Sequence, residues 1–248
     1  MINLIRLGQP NEQPPLYAIP GLDGTIGSVQ PVVDLLTRTR EVIVVDYSAE
    51  TNTTLEALAT EIADVIRAEG RPAIDLLGQS IGTILTAQVA TLHNLPVRKV
   101  ALTCTFTVLR WNLLRVVVAL SNVTPRWLYR WTSPLTIAVS CGPVGDGRQH
   151  PCFAGTQQAD PKVIARRTAW QIGRDFALDL ARLQGPLLIL MGDSDRFVPN
   201  AAREIAKLRQ LFVNQPTARV ESVPGAGHIF LPSMAIKYAA GKIEEFLR

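Results

Sequence analysis

Short runs rich in β-branched residues alternate with stretches of helical period along most of this chain. That alternation limits the fold more than any other feature. Residues 3–7, 16–19, 41–47, 73–77, 97–105, 186–191 and 219–223 read as strands. The run 41–47 (EVIVVDY) is apolar at consecutive rather than alternate positions, which marks a strand buried on both faces, as in a parallel sheet covered by helices. Helices fill the gaps. Residues 29–37 suit one, and residues 81–91 another. Leu55, Leu58, Ile62, Val65 and Ile66 repeat at helical spacing behind a capping box of Thr53 and Glu56, and Gly70 and Pro72 end that helix. Ala201, Ile205, Leu208, Leu211 and Phe212 line a further helix, and Ile236, Ala240, Ile243 and Leu247 a closing one. The expected architecture is α/β, a mostly parallel central sheet flanked by helices. With 248 residues, 47% of them hydrophobic, one domain can hold the whole core.

The alternation stops over residues 106–185, which contain apolar helical stretches, Trp111, Trp127 and Trp131, and a Pro/Gly-rich piece near 141–155. This segment is expected to be a lid inserted after the strand at 97–105. There it would sit over the carboxyl ends of the strands, where open α/β sheets bind ligands.

Composition excludes several classes. A formal net charge of +4 without a clustered basic run gives no footprint for nucleic acid. The three cysteines lack Cys-x-x-Cys spacing, so neither a zinc site nor a redox pair is expected, and the simplest compartment is the reducing cytoplasm. No secretory signal and no uncharged apolar run of spanning length stands out.

The chemistry concentrates in three loops. Gly78-Gln79-Ser80-Ile81-Gly82 has the form Gly-x-Ser-x-Gly and falls between a strand and a helix. There two glycines permit a tight turn that exposes the hydroxyl, and the helix N-terminus offers the Ile81 N–H to a developing oxyanion. A serine needs a base. Of His93, His150 and His228, the last follows the final strand in Pro224-Gly225-Ala226-Gly227-His228; His93 suits a helix end, and His150 a solvated loop. The base needs an orienting acid, and the loop after the strand at 186–191 offers two. Asp195 is the assignment, with Asp193 in reserve.

The order Ser80, Asp195, His228, each on its expected element, resembles the α/β-hydrolase-fold proteins over nearly the whole chain. In that family the acid loop often reads Gly-x-x-Asp-x-x-Val-Pro, which Gly192, Asp195, Val198 and Pro199 match. The family's oxyanion loop commonly reads His-Gly-x-x-Gly. Here Pro20-Gly21-Leu22-Asp23-Gly24 has Pro in place of His, and by analogy the Leu22 N–H is the second oxyanion donor. Asp23 is read as a solvated turn residue.

The resemblance implies a serine hydrolase of carboxylesterase or thioesterase type that needs no cofactor and no metal. Its substrate would be a small-molecule ester or thioester with an apolar acyl group. Trp111, Trp127 and Trp131 are the expected substrate contacts, although the same stripe could serve only to pack the lid. Arg110, Arg115, Arg126 and Arg130 interleave with them, which suits snorkelling side chains, a carrier phosphate or peripheral membrane contact. The rival class is a receptor-like protein that binds a ligand in the same pocket and turns over slowly or once.

Overall fold

A computed structural model describes residues 2–51, 54–109, 111–198 and 200–248, with the side chains of Trp111, Leu113 and Ser140 also outside the description. The consecutive apolar runs become strands: β1 (Asn3–Leu7), β2 (Leu16–Ile19), β3 (Val42–Asp46), β4 (Ile74–Gln79), β5 (Val97–Thr103), β6 (Leu187–Gly192) and β7 (Ala218–Val223). They form one sheet of order β1-β3-β2-β4-β5-β6-β7. β1 runs antiparallel to β3, and every other neighbouring pair is parallel. Every residue of β2, β4 and β6 is buried, as two covered faces require.

The helices divide between those faces. α1 (Gln30–Leu36) and α10 (Ser233–Leu247) pack on one, where Leu36, Val44, Leu77, Leu190 and Ile243 share a core. α2 (Leu55–Ala68), α3 (Ile81–Leu92) and α9 (Ala201–Leu211) cover the other, around Ile43, Leu76, Ile84, Leu102 and Ile189. α10 is also clamped electrostatically. Asp75, fully buried in β4, accepts from Arg40 at 2.9 Å and Arg98 at 2.6 Å, and both arginines donate onward to the Leu247 carbonyl.

Between β5 and β6 the chain leaves the sheet and forms α4 (Trp111–Val123), α5 (Arg126–Ser140), α6 (Pro151–Gln158), α7 (Pro161–Ala169) and the short α8 (Ala177–Ala181). Several boundaries differ from the sequence reading. β4 continues through Gly78 and Gln79, which pair with Leu102 and Thr103, because a glycine ahead of a turn can still complete a ladder. β5 stops at Thr103, since Cys104 takes a positive φ of 56°. Thr53 lies outside the described residues; the cap of α2 is Thr54, whose Oγ1 accepts from the Ala57 N–H at 3.1 Å.

Candidate active site

Ser80 occupies the turn from β4 into α3 with φ 56° and ψ −127°, a conformation that side-chain-bearing residues rarely adopt. The flanking glycines make that turn possible by close approach. A Cβ on Gly82 would overlap the carbonyl oxygens of Ile19 and Pro20, and one on Gly78 would stand 2.5 Å from Thr86 Oγ1. Hydrogen bonds hold the strained residue. The Ser80 N–H donates to the Thr103 carbonyl at 3.0 Å, and the Thr83 N–H and hydroxyl both donate to the Ser80 carbonyl, at 2.9 and 2.6 Å.

The turn aims Ser80 Oγ at His228 Nε2, 2.8 Å away. His228 Nδ1 lies 2.8 Å from Asp195 Oδ2, in a buried setting. The other carboxylate oxygen, Oδ1, accepts from the backbone N–H groups of Phe197 at 2.7 Å and Val198 at 3.2 Å. With the imidazole proton on Nδ1, facing the carboxylate, Nε2 is free to accept from the serine. Two further contacts fix the ring. Phe197 lies against it at 4.6 Å between centroids, and the backbone N–H of His228 donates to the Cys141 carbonyl at 2.5 Å, which holds the residue that carries the ring. Gly227 lets that strand of backbone pass, because a Cβ there would overlap the Cys141 carbonyl. Asp193 does different work. It is exposed, and its Oδ1 accepts from the Gly225 N–H at 3.0 Å, tying the acid loop to the histidine loop.

Residues 20–24 bend beside the serine. The Tyr47 hydroxyl lies 2.7 Å from the Pro20 carbonyl and 2.6 Å from that of Gly21, and donates to one at a time. Arg167, itself buried, donates from Nη1 to the Leu22 carbonyl at 3.0 Å and from Nη2 to the Tyr47 carbonyl at 2.6 Å. It also stacks over the Tyr47 ring at 4.8 Å. Ile81 begins α3, so its N–H is among those without an intrahelical acceptor.

Asp23 is not a solvated turn residue. It is 6% exposed and accepts from the hydroxyl and N–H of Thr25, at 2.9 and 3.3 Å. Burial pushes its carboxyl up from the ordinary 3.8 to about 6. The folded chain therefore holds this proton more tightly than the unfolded one. The associated stabilisation is full below pH 3.8 and is lost as pH rises through about 6. Asp23→Asn should thus stabilise the fold by about 2–3 kcal/mol near neutral pH and hardly at all in acid. Urea midpoints of wild type and variant on either side of that window measure this; an equal difference at both pH values would exclude the linkage. His150 also departs from its solvated reading. It is buried and caps α6 by accepting from the Cys152 N–H at 3.1 Å, and burial lowers its pKa to about 4.

Ser80, His228, Leu22 and Asp23 line one end of a cavity of about 470 Å³. The remaining wall comes from α4 and α5, through Leu114, Val117, Leu128, Ser133 and Ile137, and from Ile164 and Thr168 of α7. Apolar and hydroxyl side chains dominate, and among the described residues no lysine or arginine lines it. Trp127 and Trp131 are not among the lining residues. They are 64% and 81% exposed on the outer face of α5, because the inward positions of that helix belong to Tyr129, Ser133 and Ile137. The side chain of Trp111 lies outside the described residues, as does Arg110. Among the described residues no group of three His, Cys, Asp or Glu side chains could hold a metal ion.

A family model described as the alpha/beta hydrolase family matches residues 19–240. The chain belongs to that family. No curated protein matches it in sequence. Its fold is shared with solved alpha/beta hydrolases of low identity. The enol-lactonase from Burkholderia xenovorans LB400 superposes with a TM-score of 0.80 at 16% identity, over 99% of this chain and 96% of that one. The esterase from Exiguobacterium antarcticum gives 0.80 at 16%, over 99% and 95%. The thermophilic esterase from Thermogutta terrifontis gives 0.77 at 19%, over 100% and 93%.

In this alpha/beta hydrolase the structure brings together Ser80, His228 and Asp195, with Leu22 and Ile81 beside the serine, and leaves Asp193 and the two tryptophans apart. Sequence reasoning missed Arg167, Tyr47 and the Cys141 carbonyl. Arg167 sits at helical spacing on α7 among other polar residues, with no local sign that it crosses to a loop 145 positions earlier.

Proposed function

We propose that this alpha/beta hydrolase is a serine hydrolase that cleaves a neutral ester or thioester with an apolar acyl group. The observation that carries the reading is the continuous hydrogen-bonded line from Ser80 Oγ through His228 to Asp195, opening into an apolar cavity. Ser80 Oγ attacks the carbonyl carbon while His228 Nε2 takes its proton. The Leu22 and Ile81 N–H groups receive the oxyanion, and Asp195 balances the imidazolium. On collapse, His228 gives the proton to the leaving alcohol or thiol, which leaves an acyl group on Ser80. Water then attacks with His228 again as base, releasing the carboxylic acid and restoring the serine.

The cavity wall narrows the substrate. Among the described lining residues none is a cation and Asp23 is an acid, which disfavours an anionic acyl chain, whereas aliphatic groups meet Leu114, Val117, Leu128 and Ile137. Each methylene added within the cavity should raise kcat/KM about fourfold, the equivalent of ~0.8 kcal/mol, until the space is filled.

The deciding experiment is intact-mass analysis after treatment with a fluorophosphonate. One adduct on wild type and none on Ser80→Ala is the expected result. Folded wild type that takes no adduct, and that binds long-chain esters without turning them over, would assign the pocket to ligand binding instead.

A further inference from the structure

We infer that the outer face of α4 and α5 docks on a bilayer carrying anionic lipid, with the cavity mouth turned toward the membrane. The inference extends the reading of the cavity as an acyl site but stands on a different surface. Trp127, Trp131 and Leu135 step by four residues along α5 and form one stripe, exposed by 64%, 81% and 67%. On α4, Val116 and Val123 are exposed as well, at 53% and 76%. An exposed apolar and aromatic stripe of this kind on a folded protein marks an interaction site. On the opposite side of α5, Ser133 and Ile137 are buried and line the cavity.

Charge selects the partner. Residues 106–145 contain Arg110, Arg115, Arg126 and Arg130 and no lysine, aspartate or glutamate. The formal charge of the chain is +4, so this segment carries all of the net charge and the rest is balanced. Arg126 and Arg130 flank Trp127 and Trp131 around a surface groove, the arrangement that places guanidinium groups at lipid phosphates and indole rings at headgroup depth. No helix among the described residues is long and apolar enough to cross a membrane, so the contact would lie in the interface plane.

The cavity reaches the surface beside that stripe. Leu120 of α4 and Leu128 and Thr132 of α5 line the cavity and are also exposed. A lipid-soluble ester could therefore pass from the bilayer to Ser80 without crossing water, which accounts for apolar side chains on both sides of one thin helical layer.

The test is co-sedimentation of the 248-residue chain with vesicles of phosphatidylcholine alone or mixed with phosphatidylglycerol. Wild type and Ser80→Ala should both pellet with the anionic vesicles and be released by high salt. Arg126→Gln with Arg130→Gln should weaken binding by roughly thirtyfold, about fivefold for each charge removed near the surface. Trp127→Ser with Trp131→Ser should weaken it at least about tenfold through the lost apolar area. Both double variants lie outside the cavity wall, so hydrolysis of a water-soluble short-chain ester should be unchanged in them. No pelleting with anionic vesicles, equal pelleting with phosphatidylcholine alone, or pelleting untouched by both double variants would overturn the inference. Lipid-free self-association abolished by the tryptophan substitutions would overturn it too, by giving the face to a second copy of the chain. Because Ser80→Ala reports on docking and the soluble ester on catalysis, failure of one reading leaves the other measurable.

Discussion

Ser80→Ala should lower kcat on a short-chain ester by about 10⁶-fold, since the nucleophile and its base act as a unit and losing the serine costs nearly as much as losing both. Residual turnover of roughly 10³-fold over water should persist, because backbone N–H donors and the cavity remain. Folding should be unaffected. Alanine inherits the positive φ of 56°, and the bonds from the Ser80 N–H to Thr103 and from Thr83 to the Ser80 carbonyl involve only backbone atoms of residue 80. A thermal melt that matches wild type, combined with lost turnover in steady-state assays, is the expected pair of results. Turnover within tenfold of wild type would remove Ser80 from the mechanism.

The second large effect separates two neighbouring acids. Asp195→Asn should lower kcat by about 10⁴-fold. The reason is geometric. The Phe197 and Val198 N–H groups hold one side-chain oxygen at the Oδ1 position, so the new amide nitrogen takes the place of Oδ2 and points its hydrogens at His228 Nδ1. That drives the imidazole proton to Nε2, where it can no longer accept from Ser80. Asp193→Asn keeps an oxygen for the Gly225 N–H and should stay within about tenfold of wild type. Parallel kinetics on the two variants decide the matter, and a larger loss at position 193 would reverse the acid assignment.

Much of the fold could be read without coordinates because its signals are local. A fully buried strand is apolar at consecutive positions, and the runs around Ile43 and Ile189 are; in β4 the run is broken at Asp75, which Arg40 and Arg98 pair. A turn that forces a serine to positive φ needs neighbours without side chains, and Gly78 and Gly82 supply them. Where the reading slipped, the competing force came from elsewhere in the chain. Asp23 looks like a turn aspartate by its neighbours, yet Thr25, Arg167 and the cavity wall bury it. His150 sits in a Pro/Gly-rich stretch, which suggests solvent, but it is buried as the cap of α6. Trp127 and Trp131 occupy apolar-looking positions, and only the packing of α5 decides which of its faces meets the cavity.

The sequence alone determined the alternating sheet-and-helix order and the glycine-flanked serine turn, and it singled out a candidate histidine loop and a pair of candidate acids. Each is set by residues within a few positions of one another, where backbone geometry dictates side-chain type. Tertiary structure decided which acid faces His228, how Arg167 and Tyr47 brace the loop at Leu22, and which way the tryptophans point. These outcomes depend on contacts between residues tens to more than a hundred positions apart, which no local pattern encodes because packing of the whole chain selects them.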